Sequence, residues 1–199
     1  MFESLTEYVS GSPWTYVFLF GISALDVLFP VVPSETSVIL AGVLAGTGDL
    51  VLVLVIVFAA GGAIFGDNAS YWIGRTLGER IVERFFKGER RKRIDWAEKQ
   101  IEERGPYLIV IGRFIPGGRT AITLAAGLLE MPWRKFIVFD VAAGIVWATY
   151  AALLGYVGGR TFEENPLYGF LIAFAVALAI TGAVEAYRFL KKRGVVASG

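Results

Sequence analysis

Long apolar runs, separated by short polar breaks, set the pattern of this chain. Four runs approach or exceed the roughly 20 mainly apolar residues that a membrane crossing needs. Segment 13–29 is apolar except for Asp26. Segment 50–74 is clean until Asp67, segment 133–157 carries Asp140, and segment 167–188 carries Glu185 near its end. Trp14, Tyr71, Trp72, Trp133, Tyr168 and Tyr187 flank these runs, as amphipathic rings do at a membrane–water boundary. The pattern predicts an all-α polytopic membrane protein, a single domain over 1–199.

Two apolar runs do not read as simple spans. Segment 31–45 is VVPSETSVILAGVLA, and segment 108–129 is LIVIGRFIPGGRTAITLAAGLL. Each is broken by proline beside small and charged residues. Proline removes a backbone donor, and non-helical backbone survives at membrane depth only where protein or a watery cavity covers it. Both segments are therefore expected to be re-entrant hairpins. Between the two halves, 75–104 is dense in both signs of charge. Ile81 and Phe85, then Ile94, Ala97 and Ile101, recur at helical spacing, with Gly88 between them. This predicts an amphipathic helix pair at the interface, with Arg90 to Arg93 on its solvated face.

The basic residues cluster in 75–104, 134–135 and 188–193. With all three clusters in the cytoplasm, both termini are expected inside. The N-terminal stretch lacks the basic region of a cleaved signal peptide and reads as the mature start.

An internal repeat reinforces this layout. YWIGRT (71–76) and YVGGRT (156–161) share four of six residues at an offset of 85, and the same offset carries AGVL (41–44) onto AGLL (126–129). Pro33-Ser34-Glu35 resembles Pro116-Gly117-Gly118-Arg119. The assigned orientation puts Arg75 inside and Arg160 outside, so the copies are expected to be inverted, an arrangement that transporters use.

Composition narrows the chemistry. The chain has no cysteine and no histidine. That removes disulfides, thiolate sites, the commonest zinc ligand and the usual proton-transfer side chain. No metal-binding or nucleophile motif remains, so an enzyme and a cofactor are not expected, and neither is nucleic-acid binding.

Five charges fall at membrane depth: Asp26, Glu35, Asp67, Arg113 and Arg119. Facing lipid unpaired, they would cost roughly 12–17 kcal/mol together, so they must pair or face a wet cavity. A purely structural ion-pair network is one reading. Buried pairs are poor stabilisers, however, and intramembrane charges are by default functional. Arginine suits phosphate because it is planar, always charged and bidentate. Gly117 and Gly118 bend the chain and bare N–H groups, adding to an anion site. The carboxylates Asp26, Glu35 and Asp67 can also take up protons, which offers proton coupling.

At these residues the sequence resembles the DedA family, also called SNARE-associated or VTT-domain membrane proteins. The matching motifs are LDVLFP with Asp26 and PSETS with Glu35. Three more follow: G-D-x-x-x-Y-x-x-G-R from Gly66 to Arg75, G-R-F-x-P-G-x-R from Gly112 to Arg119, and Trp147 followed by Gly155, Tyr156 and Gly159. The resemblance covers nearly the whole chain. It implies two facing re-entrant hairpins in the cytoplasmic membrane and movement of a phosphate-headed lipid, either a polyprenyl phosphate such as undecaprenyl phosphate or a phospholipid such as phosphatidylethanolamine. It also implies that Asp26, Glu35, Arg113 and Arg119 are needed, with proton-motive force involved. Asp26 and Glu35 stand where members often have Glu and Asp respectively, so charge is kept but reach differs. The alternative is a small-ion or drug/proton antiporter using the same carboxylates. The expected partners are membrane lipids and protons, and small-residue spacings such as Gly62-x-x-x-Gly66 and Gly155-x-x-x-Gly159 are compatible with a homo-oligomer or a scaffold.

Overall fold

A computed structural model describes residues 12–28, 34–85, 104–105, 107–109, 118–162, 167–168, 170–179 and 182. The described residues are helical apart from short turns. Helix α1 is Pro13–Leu28, α2 Ser34–Gly46, α3 Leu52–Phe85, α4 Gly118–Leu128 and α5 Trp133–Thr161. A further short apolar helix, α6, covers Phe170–Ala179. Proline opens α1 and directly precedes α5, where its missing N–H costs nothing. The turns after α2 and α4 each contain a left-handed residue, Gly48 (φ 93°) and Glu130 (φ 55°).

Helix lengths separate two kinds of element. The apolar stretch Leu52–Leu77 of α3 and the whole of α5 have 26 and 29 residues, about 39 and 44 Å at 1.5 Å per residue. Both exceed the ~30 Å hydrocarbon layer. By contrast α1, α2 and α4 have 16, 13 and 11 residues, about 24, 20 and 17 Å. The run expected as a full span at 13–29 is thus a helix short of that length. Its partner at 31–45 is helical from Ser34 onward. The boundary expected near residue 75 is not a break, since α3 continues to Phe85. Most of the amphipathic stretch, 86–103, and most of 180–188 lie outside the described residues.

Helix direction follows from the contacts. The Val51 backbone N–H donates to Tyr16 Oη, while Phe20 and Ala24 back onto Gly62 and Gly66. Helices α1 and α3 therefore run parallel, and α2, which connects the end of α1 to the start of α3, runs in the opposite direction. On α4, Arg119 meets Ala63 and Asp67, Thr123 meets Ser70, and Gly127 meets Tyr71 and Arg75. Helix α4 is thus parallel to α3. On α2, Gly42 meets Ala152 and Gly155, and Gly46 meets Tyr156 and Gly159, so α2 is parallel to α5.

Glycine makes these contacts possible. A Cβ at Gly42, Gly62, Gly66, Gly74, Gly127 or Gly155 would strike the backbone carbonyl of the neighbouring helix. With little gain from burying apolar surface against lipid, helices associate through such close approach. The contacts bind two groups: α3 with α1 and α4, and α2 with α5. Gly127 backs onto Tyr71 and Arg75, and Gly46 backs onto Tyr156 and Arg160; the span residues of these two contacts stand 85 apart in sequence and the glycines 81 apart.

Two buried clusters result. The larger joins α1, α2, α3, α5 and α6 through residues such as Leu19, Ile39, Val55, Ala148 and Ala177. The smaller joins Tyr71, Ile109, Ala126, Met131 and Phe136. There the Tyr71 hydroxyl donates to the Met131 carbonyl and its ring stacks on Phe136 at 4.7 Å.

Candidate functional site

Arg119 is the second residue of α4 and Asp26 stands in the last turn of α1. Each charge opposes its own helix dipole, which favours anions at N-termini and cations at C-termini. Two such placements need a reason, and the reason is that they meet. Arg119 Nη1 donates to Asp26 Oδ2 at 3.3 Å, Nε donates to Asp67 Oδ1 at 2.8 Å, and Nη2 donates to the Ala63 carbonyl at 2.8 Å. The Trp147 ring covers the guanidinium 5.8 Å from its centroid. A planar fork is thus held at its edge by α1 and α3 and on its face by α5. Two of its five N–H groups have no acceptor among the described residues.

Neighbouring hydroxyls fix the frame. Thr120 Oγ1 donates to the Val27 carbonyl at 2.7 Å, capping a carbonyl that the end of α1 leaves open. Thr123 Oγ1 donates to Ser70 Oγ at 2.9 Å. Ser34 Oγ, at the start of α2, donates to Asp26 Oδ2 at 2.6 Å. The N-termini of α2 and α4 and the C-terminus of α1 therefore converge on one carboxylate.

The site lies at mid-depth of the long helices. Ala63 and Asp67 fall near the middle of Leu52–Leu77, and Trp147 is the central residue of Trp133–Thr161. Access is one-sided. Side-chain exposure rises from 0% at Asp67 through 11% at Arg119 to 24% at Asp26, so the cluster opens at Asp26. Glu35, in the first turn of α2, is half-buried. It lies within electrostatic range of Asp26 and of the Tyr150 hydroxyl, but its carboxylate makes no ion pair among the described residues.

Of the residues singled out in the sequence, the structure brings together Asp26, Asp67 and Arg119, with Glu35 alongside. Gly118 is the first residue of α4. Arg113 and Gly117 lie outside the described residues. Asp67, counted in the sequence as one of five charges at depth, is fully buried and makes the shorter of the two ion pairs to Arg119 among the described residues. Sequence reasoning passed over Ala63, whose contribution is a backbone carbonyl, and Ser34, Thr120 and Tyr150, which carry no charge. Asp140, seven residues before Trp147 on α5, is a further buried carboxylate at 1% exposure. Among the described residues no group of three or more acidic side chains is arranged to hold a metal.

The comparison with known proteins decides the family. The VTT domain model matches residues 32–157. The chain is a VTT-domain membrane protein of the DedA family. It is 30% identical to an uncharacterized membrane protein of Synechocystis sp., over 96% of this chain and 90% of the relative. Protein DedA of Escherichia coli is 29% identical, over 94% and 87%. Undecaprenyl phosphate transporter A of Bacillus subtilis is 25% identical, over 87% and 88%. No solved structure matches the chain. In this VTT-domain protein the matched region contains α2, α3, α4 and most of α5, and so Glu35, Asp67, Arg119 and Trp147, while Asp26 falls just before it.

Proposed function

We propose that the protein moves a phosphate-headed lipid across the cytoplasmic membrane, with Arg119 holding the phosphate near the bilayer midplane. The observation that carries this reading is Arg119 itself: a guanidinium at mid-depth, oriented by three acceptors, with N–H groups to spare on a cluster that opens at Asp26. From the sequence pattern we assign Arg113 as a second phosphate-binding cation and Gly117 and Gly118 as backbone N–H donors to the same anion. The name of the Bacillus subtilis relative supports a polyprenyl phosphate as substrate, and a phospholipid such as phosphatidylethanolamine shares the chemistry.

Charge balance favours proton coupling. Asp26, Glu35 and Asp67 oppose Arg113 and Arg119, so the site already carries excess negative charge when all are ionised. Each like pair about 4 Å apart costs roughly 4 kcal/mol at an effective dielectric of 20. An arriving phosphate is therefore best accommodated with a proton on Asp26 or Glu35.

The same reading gives the short helices a role. Helices α1 and α2 form the two arms of one re-entrant hairpin, and α4 is an arm of the other. Helix α2 runs against α4, and α3 against α5, as inverted copies of one unit require. The cytoplasm lies at the Arg75 end of α3, by the positive-inside rule; because Tyr16 is level with Val51 at the start of α3, the Pro13 end of α1 then falls at the opposite face, and the cytoplasmic N-terminus expected from the sequence does not fit this hairpin.

The test is lipid movement in reconstituted vesicles, with Arg119→Lys beside wild type. Lysine keeps a positive charge beside Asp67 but loses the two-pronged fork. The expected result is a folded variant that moves undecaprenyl phosphate or labelled phospholipid at least tenfold more slowly. An unchanged rate would refute the phosphate role. Gradient-driven cation flux without lipid movement would favour an ion/proton antiporter instead.

A further inference from the structure

We propose that Tyr150 of α5 is a second ligand of the transported headgroup, donating its phenolic hydrogen to a phosphate oxygen opposite Arg119. The inference rests on the phosphate role of Arg119. It starts from an unpaired group: the Tyr150 hydroxyl is buried, with no hydrogen-bond partner among the described residues. A buried hydroxyl without a partner loses its hydration for nothing, and native structures rarely tolerate that without a reason. Ser23 Oγ is likewise buried and unpartnered. A helical serine, however, reaches the carbonyl one turn back by rotating its hydroxyl, whereas a phenol has no such local escape.

The position of Tyr150 supplies the reason. It is three residues beyond Trp147, hence on the same face of α5. Trp147 covers the Arg119 guanidinium, and Glu35 lies within electrostatic range of both Tyr150 and Asp26. Asp26 in turn accepts from Arg119 and Ser34. Arg119, Asp26, Glu35, Tyr150 and Trp147 are thus linked as neighbours, and among them Tyr150 holds a donor that no acceptor among the described residues has taken. A tetrahedral oxyanion on the spare N–H groups of Arg119 would offer that acceptor. Arg119 belongs to the group packed on α3 and Tyr150 to the pair α2–α5, so the headgroup would bridge the two.

Tyr150→Phe tests this through two readouts. The first is thermal unfolding without ligand. Removing a hydroxyl that has no partner should leave the melting temperature unchanged or raise it, and a loss of several degrees would show a structural partner and overturn the proposal. The second is affinity in detergent for undecaprenyl phosphate, with phosphatidylethanolamine and inorganic phosphate as separate arms. A hydrogen bond to a charged group corresponds to roughly a tenfold or greater loss. Loss in the lipid arms alone assigns the ligand as a lipid headgroup, and loss in all arms assigns it as phosphate in any form. Affinity equal to wild type overturns the role of Tyr150 while leaving that of Arg119 standing. Wild type that binds none of the three, or Arg119→Lys that binds them all as wild type does, overturns the phosphate reading and this inference with it.

Discussion

Replacing Arg119 by methionine should destabilise the protein well beyond the loss of its packing, and adding Asp67→Asn should recover much of the loss. Methionine keeps an unbranched apolar stem, so the cavity is small. What changes is the charge next to Asp67, whose side chain is completely buried and whose carboxylate lies 2.8 Å from Arg119 Nε. Removing one partner of a buried pair costs about 3–5 kcal/mol, because the other charge stays behind uncompensated. Asparagine at 67 removes that charge while keeping the shape and a hydrogen-bonding oxygen. The Asp26 contact is lost as well, but at 3.3 Å and with a more exposed carboxylate it carries less of the penalty than Asp67. A double-mutant cycle should therefore give a coupling energy of about 2 kcal/mol or more, roughly a thirtyfold change in the unfolding equilibrium. The assay is unfolding in mixed micelles titrated with SDS, read by tryptophan fluorescence. Single-variant effects that add within about 0.5 kcal/mol would refute the claim that Arg119 is the counter-charge of Asp67. Lipid movement should stay absent in both the single and double variants, which separates stability from transport.

Three further outcomes follow from the packing. Gly127→Ala should cost about 1–3 kcal/mol, because its Cβ would enter the Tyr71 carbonyl and the Arg75 amide. Gly21→Ala, with nothing within 4 Å, should be neutral or stabilise by about 0.5–1 kcal/mol, and the pair can be compared by thermal unfolding in one detergent. Thr120→Val should lower stability by about 1 kcal/mol in the same assay, since it strips the Val27 carbonyl of its donor at a helix end.

Much of this was legible in the sequence because charge is conspicuous against an apolar background. Asp26, Glu35 and Arg119 announce themselves by their cost at depth, and prolines mark the ends of the short helices. The faces of the helices were not legible. Where nearly every residue is apolar, no stripe marks the buried side, and the packing is set by glycines whose role depends on what lies opposite. The weight of Asp67 was not legible for a related reason. Its run was bounded at 50–74, where Asp67 stands toward the end, whereas the apolar part of α3 runs from Leu52 to Leu77 and places it nearer the middle. The likeness between the Gly46 and Gly127 contacts was also invisible: these glycines stand 81 apart and the span residues they back onto 85 apart, and only contacts across helices reveal the first.

The way α2 lies on α5 constrains how the chain is made. Helix α2 ends at residue 46, yet the backbone it nests against starts near Ala152. A ribosome adding roughly 5–20 residues per second delivers that surface about 5–20 s after α2 leaves it. Through that interval the glycine face of α2 has only lipid or the insertion machinery for company. The first half of the protein cannot mature alone, and separately expressed halves should degrade singly but reassemble when made together.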